Sequence, residues 1–177
     1  MATTIQNFFS RAAEKQFARD FLFRVKQINV EGVSFDGDSD LVYARSAQLP
    51  GRNIENKTVN YYGQTFNVPG KSTYPGSEAY SIEFFHDESN ELRTKFEAAS
   101  RAVFNNETST GQYGLPGDGD LITLDVIDKD LNVIQTIQLV GASIRDINAI
   151  DYSIADGTGE ILNTTVTFSY HFYRDFS

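Results

Sequence analysis

The sequence predicts an antiparallel β protein with one helix laid against its sheet, and three observations carry that prediction. Ile161 to Phe172 alternates at period two: Leu162, Thr164, Val166, Phe168, Tyr170 and Phe172 share one side, Asn163, Thr165, Thr167, Ser169 and His171 the other. Successive strand side chains point to opposite faces, so this is a long strand packed on one side and wet on the other. Leu121 to Ile127 and Val133 to Val140 are two apolar runs joined by Asp128-Lys129-Asp130-Leu131-Asn132, which reads as a hairpin. From Asn90 to Phe104, Leu92, Phe96, Ala99 and Val103 fall on one helical stripe.

The other elements follow in chain order. Ile5, Phe8, Phe9, Ala12, Ala13 and Phe17 have helical spacing, which predicts an amphipathic helix over Ile5 to Phe17. Two phenylalanines so near the start of the chain need cover from the domain or from a neighbouring subunit. Phe21 to Val30 reads as a strand, Glu31 to Asp40 as a turn-rich loop, and Leu41 to Gln48 as a second strand. Leu49 to Pro75 holds Pro50, Pro69, Pro75, Gly51, Gly63 and Gly70, yet also Ile54, Val59, Tyr61, Tyr62, Phe66 and Val68. Its length is that of a functional or disordered segment, and its aromatic content argues against disorder. It is expected to be an extended arm or hairpin that packs on something, with contact to another chain as one use.

Glu78 to His86 alternates as a strand, and Asp87-Glu88-Ser89 offers capping oxygens and an acidic start to the central helix. Glu91 with Lys95 and Arg93 with Glu97 are expected i,i+4 pairs. Asn105-Asn106 ends that helix, and Glu107 to Gly119 is a polar connection. Gly141 to Ile147 reads as an irregular link, Ala149 to Ala155 as a strand, and Asp156-Gly157-Thr158-Gly159 as a turn. About seven strands and one central helix result, in a single domain over the 177 residues. Within it lie an N-terminal segment (Met1 to Arg19), the arm (Leu49 to Pro75) and the helix region (Ser89 to Asn105).

Composition removes several classes of function. No apolar run approaches the ~18 residues that span a bilayer. The start of the chain lacks a basic and apolar secretion signal, so folding in a cytoplasm is expected. There is no cysteine, hence no disulfide, thiolate catalysis or cysteine metal site. The net charge is −9 with no basic run, which disfavours tight phosphate binding.

Gly70-Lys71-Ser72 resembles the tail of a phosphate loop, but the position that needs a glycine is Thr65, and prolines flank the stretch. Asp36, Asp38 and Asp40 start like a calcium loop, but Leu41 replaces its glycine and Ala47 its closing glutamate; Asp128, Asp130 and Asn132 fail likewise at Val133. These acids read as solvated turns. His86 and His171 are far apart and have no cysteine to help them form a metal or nucleophile site. No cofactor, metal or catalytic residue is expected, and no enzyme.

One ordered set of motifs remains. Phe17-Ala18-Arg19 and Leu22-Phe23-Arg24-Val25 are followed by Leu49-Pro50-Gly51, Tyr61-Tyr62-Gly63 and Val68-Pro69-Gly70. Then come Phe85-His86-Asp87-Glu88, Leu92-Arg93 and Phe96-Glu97. In this order and at about this spacing the chain resembles the tail tube proteins of contractile-tailed bacteriophages, nearly end to end. Many of those carry a tryptophan just after the helical Phe-Glu pair, where this chain has Ala98-Ala99.

The resemblance implies a small antiparallel β-barrel or sandwich with a flanking helix, whose sheet joins neighbouring subunits in a hexameric ring. The rings stack into a hollow tube inside a contractile sheath, and the tube conducts DNA. Related tubes occur in type VI secretion systems and phage-like injection particles. The implied partners are further copies of itself, the sheath, baseplate or tube-initiator and tail-terminator proteins, and the tape-measure protein. The implied location is the virion tail, after assembly in the host cytoplasm. On this reading Asn163, Thr165, Thr167 and Ser169 face a lumen that DNA passes without adhering. Leu49, Pro50, Ile54, Tyr61, Tyr62 and Phe66 of the arm, with Phe8 and Phe9, make contacts between rings or subunits. A tube-initiating or tube-capping ring, the tube of a type VI secretion or phage-like injection system, and a carbohydrate- or receptor-binding β-sandwich are the alternatives.

Overall fold

In the computed structural model, which describes residues 4–14, 18–37, 39–153 and 159–176, two antiparallel sheets face each other across one apolar core. In chain order the elements are α1 (Thr4–Glu14), β1 (Phe23–Val30), β2 (Val33–Asp36), a 3-10 turn (Leu41–Tyr43), β3 (Ala44–Ser46), β4 (Asn53–Tyr61) and β5 (Gln64–Thr73). There follow β6 (Tyr80–Phe85), α2 (Glu91–Val103), the short β7 (Phe104–Asn105) and β8 (Thr110–Gly111), β9 (Leu121–Ile127) and β10 (Val133–Val140). β11 (Ser143–Ile147), β12 (Asn163–Ser169) and β13 (Phe172–Phe176) complete the chain. The first sheet runs β13-β10-β9-β1-β2 and the second β11-β12-β6-β3.

The apolar runs that predict β9 and β10 and the alternation that predicts β12 also fill the core. Ile122 and Leu124, Ile137 and Leu139, and Val25, Ile28 and Val30 point inward from the first sheet; Ile82, Phe84, Val166 and Phe168 answer from the second. α2 seals the sandwich with its predicted stripe of Leu92, Phe96 and Ala99, all buried. Phe96 stacks on Phe35 of β2 at 4.3 Å between centroids, tilts against Phe84 at 5.3 Å and meets Phe168 edge-on at 6.1 Å. One side chain thus bridges both sheets, and its burial alone contributes about 1.5–3 kcal/mol.

Six expectations need correction. The Glu31 to Asp40 loop contains β2, which pairs with β1 through Ile28↔Phe35 and Val30↔Val33. Leu41 to Gln48 is a 3-10 turn followed by only three strand residues. The Gly141 to Ile147 link contains β11, and no strand occupies 149–153; Ile154-Ala155 and the Asp156-Gly157-Thr158 part of the expected turn lie outside the described residues, as does Phe17 at the end of the first helix. The helix pair expected of Glu91 and Lys95 gives way to an ion pair of Lys95 with Asp40, whereas Arg93–Glu97 forms at 3.1 Å. Asp87 does supply its capping oxygen: Oδ2 accepts the Glu91 N–H at 2.9 Å, ahead of a left-handed Asn90.

The sixth correction concerns the closing strand. It is not continuous to Phe172: β12 lies in the second sheet and β13 in the first, and the chain crosses at Tyr170-His171. The neighbouring strand crosses at the same corner, with β10 in the first sheet and β11 in the second. Val140 pairs with Phe172 on one side of the bend and Ser143 with Ser169 on the other. Gly141 makes the bend possible. Its φ is +68°, and a Cβ there would stand 2.2 Å from the His171 ring, so only glycine fits.

Candidate assembly surfaces

β4 and β5 form the arm. Tyr62 and Gly63, with φ of 49° and 76°, make the two-residue turn that requires left-handed backbone at both centres. Both roots are pinned. Ahead of it the buried Tyr80 hydroxyl donates to Gln48 O at 2.5 Å, and behind it Tyr74 meets Tyr173 edge-on at 5.5 Å. Burial raises the Tyr80 pKa, Tyr170 beside it adds to that, and the phenol stays a donor.

The register splits the arm into two unlike faces. Val59 pairs with Phe66, Lys57 with Val68 and Tyr61 with Gln64, giving an apolar stripe of Val59, Tyr61, Phe66 and Val68. Thr58 pairs with Asn67 and Asn60 with Thr65, so toward the tip the opposite face is polar and uncharged. Every residue of β4, and all of β5 but Thr73, is exposed. A two-stranded hairpin of this kind is marginal in water without something to cover its apolar side.

Of the residues expected to make contacts, Tyr61 and Phe66 lie on the stripe and Tyr62, 90% exposed, at the tip. Ile54 pairs with Ser72 on the polar side of the arm, and Leu49 and Pro50 precede it. Val59 and Val68 were missed by the sequence reading. Folding the sequence back about Tyr62-Gly63 would have placed them beside Phe66 and Lys57. Phe8 and Phe9 are both exposed on α1, ring to ring at 6.0 Å. Near that helix an open cavity of about 750 Å³ is lined by Ala12, Phe21, Leu22, Val126 and Ile134.

Asn163, Thr165, Thr167 and Ser169 share the outer face of the second sheet, each half-buried. The face is knit by hydroxyls: Ser81 with Thr167 at 3.1 Å and Ser143 with Ser169 at 2.8 Å. Beside Thr165 stands Glu83, paired with Arg45 at 3.1 Å, and Arg45 also lies over the Phe85 ring. A face built of hydroxyls and a balanced ion pair has no cluster of cations to hold phosphate.

Among the described residues no group of three His, Asp or Glu side chains could hold a metal ion. Asp128 spends Oδ1 on the N–H groups of Asp130 and Asn132, at 2.8 and 2.9 Å, and those bonds, the Asn132 N–H foremost, hold its pKa below the ordinary aspartate value. His86 shares its ring nitrogens with the hydroxyls of Thr164 and Tyr152, at 3.2 and 3.0 Å. Gly70-Lys71-Ser72 lies inside β5, not at a helix start. No described helix is long and apolar enough to cross a membrane.

No protein-family model matches the sequence, and no curated protein matches it. Solved structures do match. A chain of the anti-feeding prophage baseplate, 6-fold symmetrised, superposes with a TM-score of 0.64 at 12% identity, over 92% of this chain and 97% of that one. A chain of the PVC extracellular contractile injection system, from its sheath–tube complex in the extended state, gives 0.55 at 11% identity, over 100% and 99%. This chain shares its fold with chains of contractile injection systems. A third such structure is the tube-terminating cap of the anti-feeding prophage, at 0.54 and 9% identity over 92% and 93%. At these identities the likeness is one of fold, and it agrees with the mainly β, antiparallel architecture that the sequence resemblance implies.

Proposed function

We propose that this chain is a structural, non-catalytic subunit of the inner tube of a contractile phage tail, polymerising as stacked hexameric rings that form the conduit for the genome. The observation that carries the reading is the arm: a pinned hairpin with an apolar stripe that its own domain leaves bare. A second chain is the natural cover, and an arm reaching from one ring to the next supplies it. The shared fold with a sheath–tube complex supports the same reading.

In the proposed tube the outer face of the second sheet, with Asn163, Thr165, Thr167 and Ser169, lines the bore, and DNA slides past hydroxyls and balanced charge. A density map showing lysines lining the bore would refute that placement. The sheath surrounds the tube, a tape-measure protein occupies it during assembly, and initiator and terminator rings bound it. Assembly takes place in the host cytoplasm and the product is part of the virion.

Excision of the arm tip tests the reading. Replacing residues 57–68 by a two-residue turn is expected to leave a folded chain that forms rings but no tubes in negative-stain images. Tubes of normal length from that variant would end the proposal. A second reading, a ring that starts or caps the tube, is favoured by the TM-score of 0.64 with a baseplate chain. It predicts single rings from the unaltered chain at every concentration, and tubes only with a partner.

A further inference from the structure

The arm leaves the sandwich at Gln48 and returns at Tyr74, and residues 49–52 ahead of it belong to no element. A hairpin hung on such links alone would be free to swing. We infer that the crossing segment Tyr170 to Tyr173 fixes the direction of the arm, with Tyr170 and Tyr173 as positioning residues for both of its roots. The use of a hairpin so aimed, docking on a second copy, rests on the tube reading above.

Three contacts run from the crossing to the chain behind the arm. The Tyr173 ring meets Tyr74 edge-on at 5.5 Å. The Tyr170 N–H donates to Ser77 O at 2.9 Å. The Tyr170 ring meets Tyr80 edge-on at 5.9 Å. Between these points the chain is drawn into two successive turns: the Ser77 N–H donates to Tyr74 O and the Ala79 N–H to Gly76 O, both at 3.1 Å. Tyr80 then reaches the front root as well, since its hydroxyl donates to Gln48 O at 2.5 Å. The front root thus hangs on Tyr80, which leans on Tyr170, while the back root leans on Tyr173.

The surroundings make these contacts firm. Tyr80 and Tyr170 are buried, and Tyr74 and Tyr173 pack against the same core. Edge-on rings add to what their burial supplies, and a buried phenol that lost its acceptor would be left unpaired at a cost. Tyr170 follows β12 of the second sheet and Tyr173 lies on β13 of the first, so the roots are referred to both layers at once.

The hold works in both directions. β13 is an edge strand, paired with β10 alone. Tyr173 reaches Tyr74 only while β13 is docked, so a steadied Tyr74 in turn keeps β13 docked, because coupled equilibria favour each other equally. A hairpin already aimed also loses less freedom when a partner covers its stripe.

Spin labels test the aim. The chain has no cysteine, so Thr58→Cys on the arm and Ala98→Cys on the exposed side of α2 can be labelled alone. Pulsed dipolar spectroscopy of the unassembled chain is expected to give one sharp distance, and Tyr80→Phe combined with Tyr173→Ala to spread it into a broad distribution. Tyr173→Phe, which keeps the ring, is expected to leave the distance sharp. A broad distribution with the labels alone, or a sharp one after the combined change, overturns the inference.

Amide exchange tests the hold in the other direction. Tyr74→Ala is expected to quicken exchange along Phe172–Phe176 by about 2- to 10-fold, the worth of an edge-on ring pair, and to leave β9 unchanged. Exchange in β13 that does not move, or that rises together with β9, overturns the coupling. Both measurements are made on single chains, so the aim of the arm stands or falls separately from the formation of tubes.

Discussion

The protein contains two long hairpins that a reader of β propensities would treat alike. β9 and β10 lie at the centre of the first sheet and bury Ile122, Leu124, Ile137 and Leu139, and even Asp125 on the opposite face. β4 and β5 bury nothing, although Val59, Tyr61, Phe66 and Val68 are as well suited to a sheet face as the residues of the first hairpin. The difference lies in the neighbours. The first hairpin is flanked by β1 and β13 and covered from across the sandwich, whereas the second leaves the domain between two pinned roots. Propensity accounts for the strands; only the surroundings decide which hairpin is finished by its own chain.

The largest effect should come from hollowing the finished hairpin. Leu139→Ala is expected to cost about 2–5 kcal/mol in urea denaturation, through lost burial and the cavity left behind. If it costs under 1 kcal/mol, the first hairpin is not the rigid half of the comparison. Next comes its buried acid. Asp125 accepts the Arg24 Nε–H at 3.0 Å and the Thr136 hydroxyl at 2.7 Å while fully buried itself. Asp125→Ala leaves Thr136 without its acceptor and Arg24, half in water, without its partner. The expected loss is about 1–3 kcal/mol, with amide exchange quickened along β9 and β10.

The arm should answer in the opposite sense. Val59→Ser with Phe66→Ser is expected to move the melting of the isolated chain by no more than about 0.5 kcal/mol and still to abolish tubes. A large loss of monomer stability would mean the stripe is already covered within the chain. The smallest effect belongs to the turn of the first hairpin. Asp128 has a folded pKa below its unfolded one, so its contribution is complete above the ordinary aspartate range and is lost as the pH falls through the folded value. Exchange of the Asn132 amide, corrected for its intrinsic rate, should therefore rise only in acid. A rise beginning near neutrality would contradict the assignment.

Much of this was legible in the sequence where structure is local. The β9–β10 boundaries follow from two apolar runs and a turn cluster, the α2 stripe from 3.6-residue spacing, and the arm from aromatics set among prolines. What escaped was set by distant contacts. Phe35 hides in a run of Gly, Asp and Ser, and becomes core only because Phe96, 61 positions on, stacks upon it. β11 follows a left-handed glycine and reads as a link until Ser169 and Phe168 are seen beside it. The candidate surfaces divided in the same way. Tyr61 and Phe66 announced themselves by size, while Val59 and Val68 gain meaning only once the hairpin register sets them beside Phe66 and Lys57.

The corner at Gly141 and His171 has a mechanical consequence. Two adjacent segments of chain pass there from one layer to the other, β10 into β11 and β12 into β13, so the layers are stitched by covalent chain and not merely pressed together by side chains. A sliding force applied to one layer is handed to the other along the backbone. In the tube proposed above, a wall pushed along its length would meet that kind of load, and a substitution at Gly141 is expected to weaken the stitch without touching the arm.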